Sequence, residues 1–283
     1  MNLIDQYQNF IKDNIKKSFH YRGDVMNYRF FGQGEKVIVL LLGTSMFSSE
    51  AYFKLQMELS RYARILSVED VSMKASVDRM TDCLSYLIRF LGFKKVTLLG
   101  IGYGGGLVQA FARDHASQTS DIILYNTLTN SKHAEEPIKE TVEGVLNTIK
   151  ELKELRKMMP LNTIKMALLE QIEPMTKNDD EYDLFQLLLS KYTDAQERQS
   201  MDFIKDLLTN YTFDKSDFKY LNYKSLIFYG YDSDPLGGGE FIEALVDLMT
   251  NPILKFLESD RYQLIIEPQP MIDNILEFLS LNK

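Results

Sequence analysis

Residues 94–106 read KKVTLLGIGYGGG, an apolar run that ends in a glycine-dense turn. The run has the length and composition of a strand buried on both faces, and residues 103–114 behind it have the pattern of a helix. Glycines between the two allow a sharp change of direction and a close approach of helix to strand. What the turn holds decides the reading of the chain: a phosphate, a nucleophile, or nothing reactive.

The flanking sequence repeats the same alternation. Toward the N-terminus, HYRGDVMNYRFFGQGEKVIVLLLG opens with two strand-like pieces, and its GQGE turn feeds a third strand over 36–42. A helix around 51–61, the strand ARILSVED and a helix over 77–91 follow. That helix carries Met80, Cys83, Leu84, Leu87 and Leu91 at spacings of three and four. Beyond the turn come the strand SDIILYNT and, much later, KSLIFYGYDSDP, a helix over 239–249, the short strand ILKFL and a last helix over 271–281. Strands alternating with helices predict an α/β fold, a mostly parallel central sheet flanked by helices.

Between 131 and 211 the strand signal gives way to four or five charged, amphipathic helices, separated near Pro160 and around 176–181. The chain therefore divides into a core of 1–130 and 212–283, opened by an amphipathic helix over about 3–17, and an inserted helical cap over 131–211. No internal repeat is present.

Composition narrows the function. With 32 Lys+Arg against 40 Asp+Glu and no basic block, the 283-residue chain is not built for a nucleic-acid backbone. Cys83 is the single cysteine, which excludes an internal disulfide and suits a reducing compartment. Three histidines, His20, His115 and His133, argue against a histidine-rich metal site, and no cofactor is implied. No run of about 18 apolar residues predicts a membrane span, and the first residues lack the apolar segment of a secretion signal. The expected location is cytoplasmic.

Two motifs compete for the turn. Gly100, Gly102 and Gly105 fit the G-x-G-x-x-G of a dinucleotide site. That motif usually follows the first strand, whereas about four strands precede this one. The acid expected on a ribose is also missing, since the next strand ends in Tyr125, Asn126 and Thr127. The alternative is G-x-S-x-G, and LLGIGYGGG resembles the L-x-G-x-S-x-G-G nucleophile elbow of the α/β-hydrolase family. The resemblance covers most of the chain. YRFFGQGEKVIVLLLGT is similar to that family's opening hairpin, third strand and oxyanion loop, SLIFYGYDSDP to the strand bearing the triad acid, and RYQLIIEPQPMIDNILEFL to the closing segment. The helical insertion also falls where lids of that family occur.

Carried over residue by residue, the resemblance implies a damaged triad. Gly102 stands at the nucleophile position and has no side chain with which to attack a carbonyl. Counting back five from Glu267 places Tyr262 where the family has its histidine, and a phenol is a poor base at neutral pH. Asp232 or Asp234 matches the acid, a turn-forming role being at least as good a reading. Thr44 or Ser45, with Tyr103, can offer backbone N–H groups as an oxyanion-like pair. Cys83 reads as core.

The expectation is a catalytically degenerate α/β-hydrolase-fold protein with a pocket of Thr44, Ser45, Tyr103 and Tyr262. It would bind an unknown small acyl or apolar ligand, or a protein partner, with its oligomeric state open. The alternatives are an esterase-like hydrolase with a displaced constellation drawn from Ser45, Tyr103 or Tyr262 with Asp232 or Asp234, and a nucleotide-binding protein using the glycine turn.

Overall fold

The computed structural model describes residues 1–43, 46–72, 74–219, 224–230, 239–258 and 262–281. Helix α1 (Leu3–Asp13) precedes strands β1 (Lys17–Tyr21), β2 (Asp24–Gly32) and β3 (Val37–Gly43). A 3₁₀ turn (Ser49–Tyr52) leads into α2 (Phe53–Leu59), followed by β4 (Arg64–Ser72) and α3 (Val77–Phe90). Next come β5 (Val96–Gly102), α4 (Tyr103–Asp114) and β6 (Thr119–Tyr125). The helical stretch holds α5 (Glu136–Leu155), α6 (Leu161–Ile172), α7 (Asp179–Lys191), α8 (Asp194–Asn210) and the short α9 (Lys215–Phe218). The chain closes with β7 (Ser225–Gly230), α10 (Gly239–Leu248), β8 (Pro252–Leu257), α11 (Gln263–Ile266) and α12 (Gln269–Phe278).

The eight strands form one sheet in the order β1-β2-β4-β3-β5-β6-β7-β8. β1, β2 and β4 pair antiparallel, and every pairing from β4 through β3 to β8 is parallel. Central strands of such a sheet are covered on both faces and so read as unbroken apolar runs. In β3, Val37, Val39 and Leu41 enter the core on one face, with Leu84, Leu87, Val108 and Phe111. Ile38, Leu40 and Leu42 enter the other, with Tyr7, Phe10, Phe53 and Ile275. The period of two in the strand separates the two cores.

One expected element is shorter than the sequence suggests. The apolar periodicity of the first helix continues through Ile15, yet α1 stops at Asp13. The Asn14 backbone and side-chain amides both donate to Phe10 O, at 3.0 and 2.9 Å, closing the last turn. Ile15 is then 72% exposed, and residues from Lys17 pair with β2 instead.

The helical stretch leaves and rejoins the sheet at a narrow neck. Lys132 N donates to Phe213 O and Phe213 N to Asn130 O, both at 2.8 Å. α8 packs against α3, α4 and α5 and is tied down by polar contacts as well. Asp206 accepts the Val77 N–H at 2.8 Å at the start of α3, and the Tyr211 hydroxyl donates to Asp78. No helix among the described residues is long and apolar enough to cross a membrane.

The glycine turn is packed on every side. A Cβ on Gly100 would lie 2.6 Å from Gly105 N, and one on Gly105 would lie 2.8 Å from Thr127 Cβ, nearer still to its Oγ1 and Cγ2. Gly106 presses on Leu207 of α8. Glycine is thus what allows α4 to meet β5, β6 and α8 at once. Gly105→Ala should lower the free energy of unfolding by about 1–3 kcal/mol, measured by urea denaturation, and Thr127→Gly in the same chain should recover part of the loss.

Candidate functional site

Gly102 joins the most central strand to its helix with φ 58° and ψ −124°. Side-chain-bearing residues seldom occupy this region, and it is the strained turn that a nucleophile elbow requires. Gly102 has the backbone geometry of such a turn and, being glycine, carries no side chain there. Tyr103 begins α4 directly behind it.

β3 and β5 stay paired as far as Gly43 and Gly102, but β3 and β4 pair only to Leu40 and Ser67. The sheet therefore parts at the carboxyl ends of β3 and β4, beside the point where the chain reverses its direction of strand addition. Open α/β sheets bind ligands at such a switch point. Ser49 bridges the parting, donating to Val68 O at 2.5 Å with Leu42 O at 3.3 Å. A cavity of about 70 Å³ lies there, roofed by Tyr192 after α7 and by Gln199 and Ser200 of α8. Tyr103 forms one wall and Glu69 another.

Glu69 owes its position to a β-bulge. Asn27 pairs with Asp70 and Tyr28 with Val68, so Glu69 is the extra residue in β4. Bulges of this kind re-aim a side chain and recur beside functional sites. The carboxyl is 2% exposed, and neither oxygen has a hydrogen-bond partner among the described residues. Arg29 Nε stands 3.4 Å from Oε1, close enough for attraction but not hydrogen-bonded. The same guanidinium bonds Glu50 Oε1 at 2.7 Å and the Asn14 carbonyl, and Tyr7 donates to Glu50 Oε2 at 2.8 Å.

Two carboxylates thus share one buried guanidinium. Burial pushes the Glu69 carboxyl up to about 7, with Arg29 pulling it down and Glu50 adding to the rise. Burial also raises the Tyr103 hydroxyl, whose oxygen lies 3.4 Å from Ser200 Oγ. Ser200 donates to Gln196 O at 2.9 Å, with the Tyr192 hydroxyl 3.5 Å away.

The expected site residues are only partly brought together. Gly102 and Tyr103 meet at the elbow, and Tyr103 lines the cavity. Tyr262 is buried just before α11, edge-on to Phe47 at 6.2 Å and Phe185 at 6.0 Å. Phe47 also lines the cavity, which does not have Tyr262 in its lining. Thr44, Ser45, Asp232 and Asp234 lie outside the described residues.

No histidine lines this cavity. His20 is on β1, and His133 is exposed and 3.1 Å from Asp214. His115 is half-buried at the end of α4: it packs on Phe111 at 4.9 Å, 3.5 Å from Asp82, and burial lowers its proton affinity. Burial pushes the Cys83 thiol up to about 11, which suits a core residue and not a nucleophile.

Glu69, Tyr192 and Ser200 were not expected at the site. The only sequence signal for Glu69 is an acid continuing the apolar run of ARILSVED.

The architecture is shared with solved enzymes. A hydrolase from Pseudomonas aeruginosa superposes with a TM-score of 0.71 at 14% identity, covering 93% of this chain and 98% of its own. A thermophilic esterase from Thermogutta terrifontis gives 0.69 at 17%, covering 95% and 99%. The 2-hydroxy-6-oxo-6-phenylhexa-2,4-dienoate hydrolase of a Rhodococcus species gives 0.71 at 12%, covering 94% and 99%. No family sequence model matches the chain, and no curated protein sequence does either. The chain has the α/β-hydrolase fold.

The Glu69 cluster sets a pH dependence. Its folded-state pKa lies above the ordinary 4.5, so the fold favours the protonated form. That contribution is full below pH about 4.5 and lost as pH rises through about 7. Glu69→Gln should therefore stabilise the protein at pH 8 by on the order of 2 kcal/mol and change little at pH 4.5, measured by urea denaturation at both values.

Proposed function

We propose that this chain is a catalytically degenerate α/β-hydrolase-fold protein that binds a small ligand at the carboxyl ends of β3 and β4, under helices 131–211 acting as a fixed cap. The observation that carries this reading is Gly102 in elbow geometry. The backbone holds the position from which a serine would attack, and there is no atom there to form an acyl-enzyme. Support comes from Tyr262, which packs between two aromatic rings at the position of the missing base. The cap is anchored through Asp206 and Tyr211, as suits a pocket that stays closed over a ligand. Of the three glycines that fit a nucleotide cradle, Gly100 packs against Gly105, Gly105 against Thr127, and Gly102 takes the positive φ of the turn, which leaves the nucleotide reading without a feature of its own.

A displaced hydrolytic constellation is the second reading. One observation favours it: the hydroxyls of Tyr103 and Ser200 share the cavity with a carboxyl that holds its proton near neutral pH.

Incubation with a fluorophosphonate probe and with short p-nitrophenyl esters separates the two. The binding reading expects no labelled serine and no turnover above buffer. Gly102→Ser should cost about 1–3 kcal/mol of stability and still yield no turnover, since the hydroxyl alone has no base. Labelling or turnover that disappears on changing Ser200 would overturn the binding reading.

A further inference from the structure

The buried charge at the cavity wall does not balance. Glu50 and Glu69 face one cation, Arg29, and Glu50 takes that guanidinium's short hydrogen bond at 2.7 Å. Among the described residues neither Glu69 oxygen accepts a hydrogen bond, Arg29 Nε standing 3.4 Å from one of them; the side chain is 2% exposed, with empty space beside it. A buried carboxylate in this position is strongly unfavourable unless a proton or a positive charge joins it.

We propose that the cavity binds a small organic cation, an alkylammonium group, with the Glu69 carboxylate as its counter-ion. This rests on the reading of the chain as a binding protein and adds the chemical class of the ligand.

The remaining lining suits an ammonium donor. Ser200 commits its single proton to Gln196 O, which leaves the lone pairs of its oxygen free to accept. The Tyr103 and Tyr192 hydroxyl oxygens lie within 3.5 Å of it. Among the described residues no Lys or Arg side chain lines the cavity itself, and Arg29 lies behind Glu69. An apolar cavity of about 150 Å³ holds benzene; at about 70 Å³ this one suits an ammonium with a two- or three-carbon chain. Access is through an open trough that shares Asp70, Val71, Gln196 and Gln199 with the cavity. Gln199 donates to Val71 O at 2.9 Å across that seam.

The β-bulge separates this arrangement from an accident of packing. Without the extra residue, β4 would continue its alternation and Asp70, which pairs with Lys16 at 3.0 Å, would follow Val68 directly. The bulge inserts a carboxylate whose oxygens accept no well-formed hydrogen bond from the described residues, the Ser67 hydroxyl nearby only easing its charge.

Binding exchanges a proton for a cation. The ammonium enters with its charge, the Glu69 carboxylic acid loses its proton to solvent, and an N–H···O contact replaces the O–H bond. The charged and titratable groups facing Glu69 are Arg29 from β2, Glu50 from the turn after β3, Tyr7 from α1, Lys16 near the rim, Asp70 beside it, and Tyr103 and Tyr192 across the cavity.

The test uses the full chain with propylammonium chloride, 1-propanol and sodium propionate at equal ionic strength, read by thermal shift and by calorimetry. Propylammonium should raise Tm at pH 8, because a ligand that binds only the folded state stabilises it by mass action. Propanol and propionate should not. Affinity should fall by about tenfold per pH unit below pH about 7, and calorimetry in two buffers at pH 6.5 should detect roughly three quarters of a proton released per cation bound. Glu69→Gln should abolish the Tm shift. If that variant does not fold, the proton release in the unaltered protein decides the matter.

Equal shifts from propanol, no propylammonium shift, a shift retained in Glu69→Gln, or binding without proton release would each overturn the cation. Propanol binding without propylammonium binding would leave the cavity as a ligand site. Ester turnover would instead count against the non-catalytic reading alone.

Discussion

The rest of the molecule depends on how closely α4 approaches the sheet. A helix entering directly behind a central strand must turn within one residue, and the turn at Gly102 does so with φ 58° and ψ −124°. The contact of Gly100 with Gly105 and of Gly105 with Thr127 then holds helix, β5 and β6 nearer than any side chain would allow. Gly106 lets α8 settle on the same helix through Leu207. The roof of the cavity is therefore positioned by the same glycines that shape the elbow. In a working hydrolase that approach presents a nucleophile. Here the turn residue is a glycine, and side chains on β4 and α8 are among those that line the cavity.

Most of the fold was legible because its signals are local. The strands are short apolar runs, and the helices carry apolar residues at spacings of three and four, so the α/β alternation and the helical stretch between β6 and β7 could be read without partners. The turn was legible too, since a glycine between a buried strand and a helix is a local signal, and Gly102 takes the positive φ there. Counting from Glu267 singles out Tyr262, but its packing between Phe47 and Phe185 could not be read, because those rings come from distant parts of the chain.

Glu69 was illegible for a different reason. Its orientation follows from a register slip between β4 and β2, which is a property of a pair of strands and leaves no mark in either one. Arg29 sits in NYRFF, where alternation alone gives no cause to bury a guanidinium; only α1 passing overhead, with Phe10 5.7 Å from it and the Asn14 carbonyl accepting its N–H, makes it an interior residue. The end of α1 is hidden likewise, since apolar spacing runs on to Ile15 while capping by Asn14 stops the helix first.

That buried guanidinium joins parts of the molecule that look unrelated. Arg29 holds the end of α1 through Asn14, reaches Tyr7 of α1 through Glu50, and stands against Glu69 on the cavity wall. A group with three such neighbours makes their energies mutually dependent. Whatever changes the charge at the cavity wall changes how firmly the first thirteen residues are held, and by reciprocity the docking of those residues changes the affinity of the cavity for charge. The N-terminal helix of this fold is thus a thermodynamic part of the pocket, although no atom of it lines the cavity.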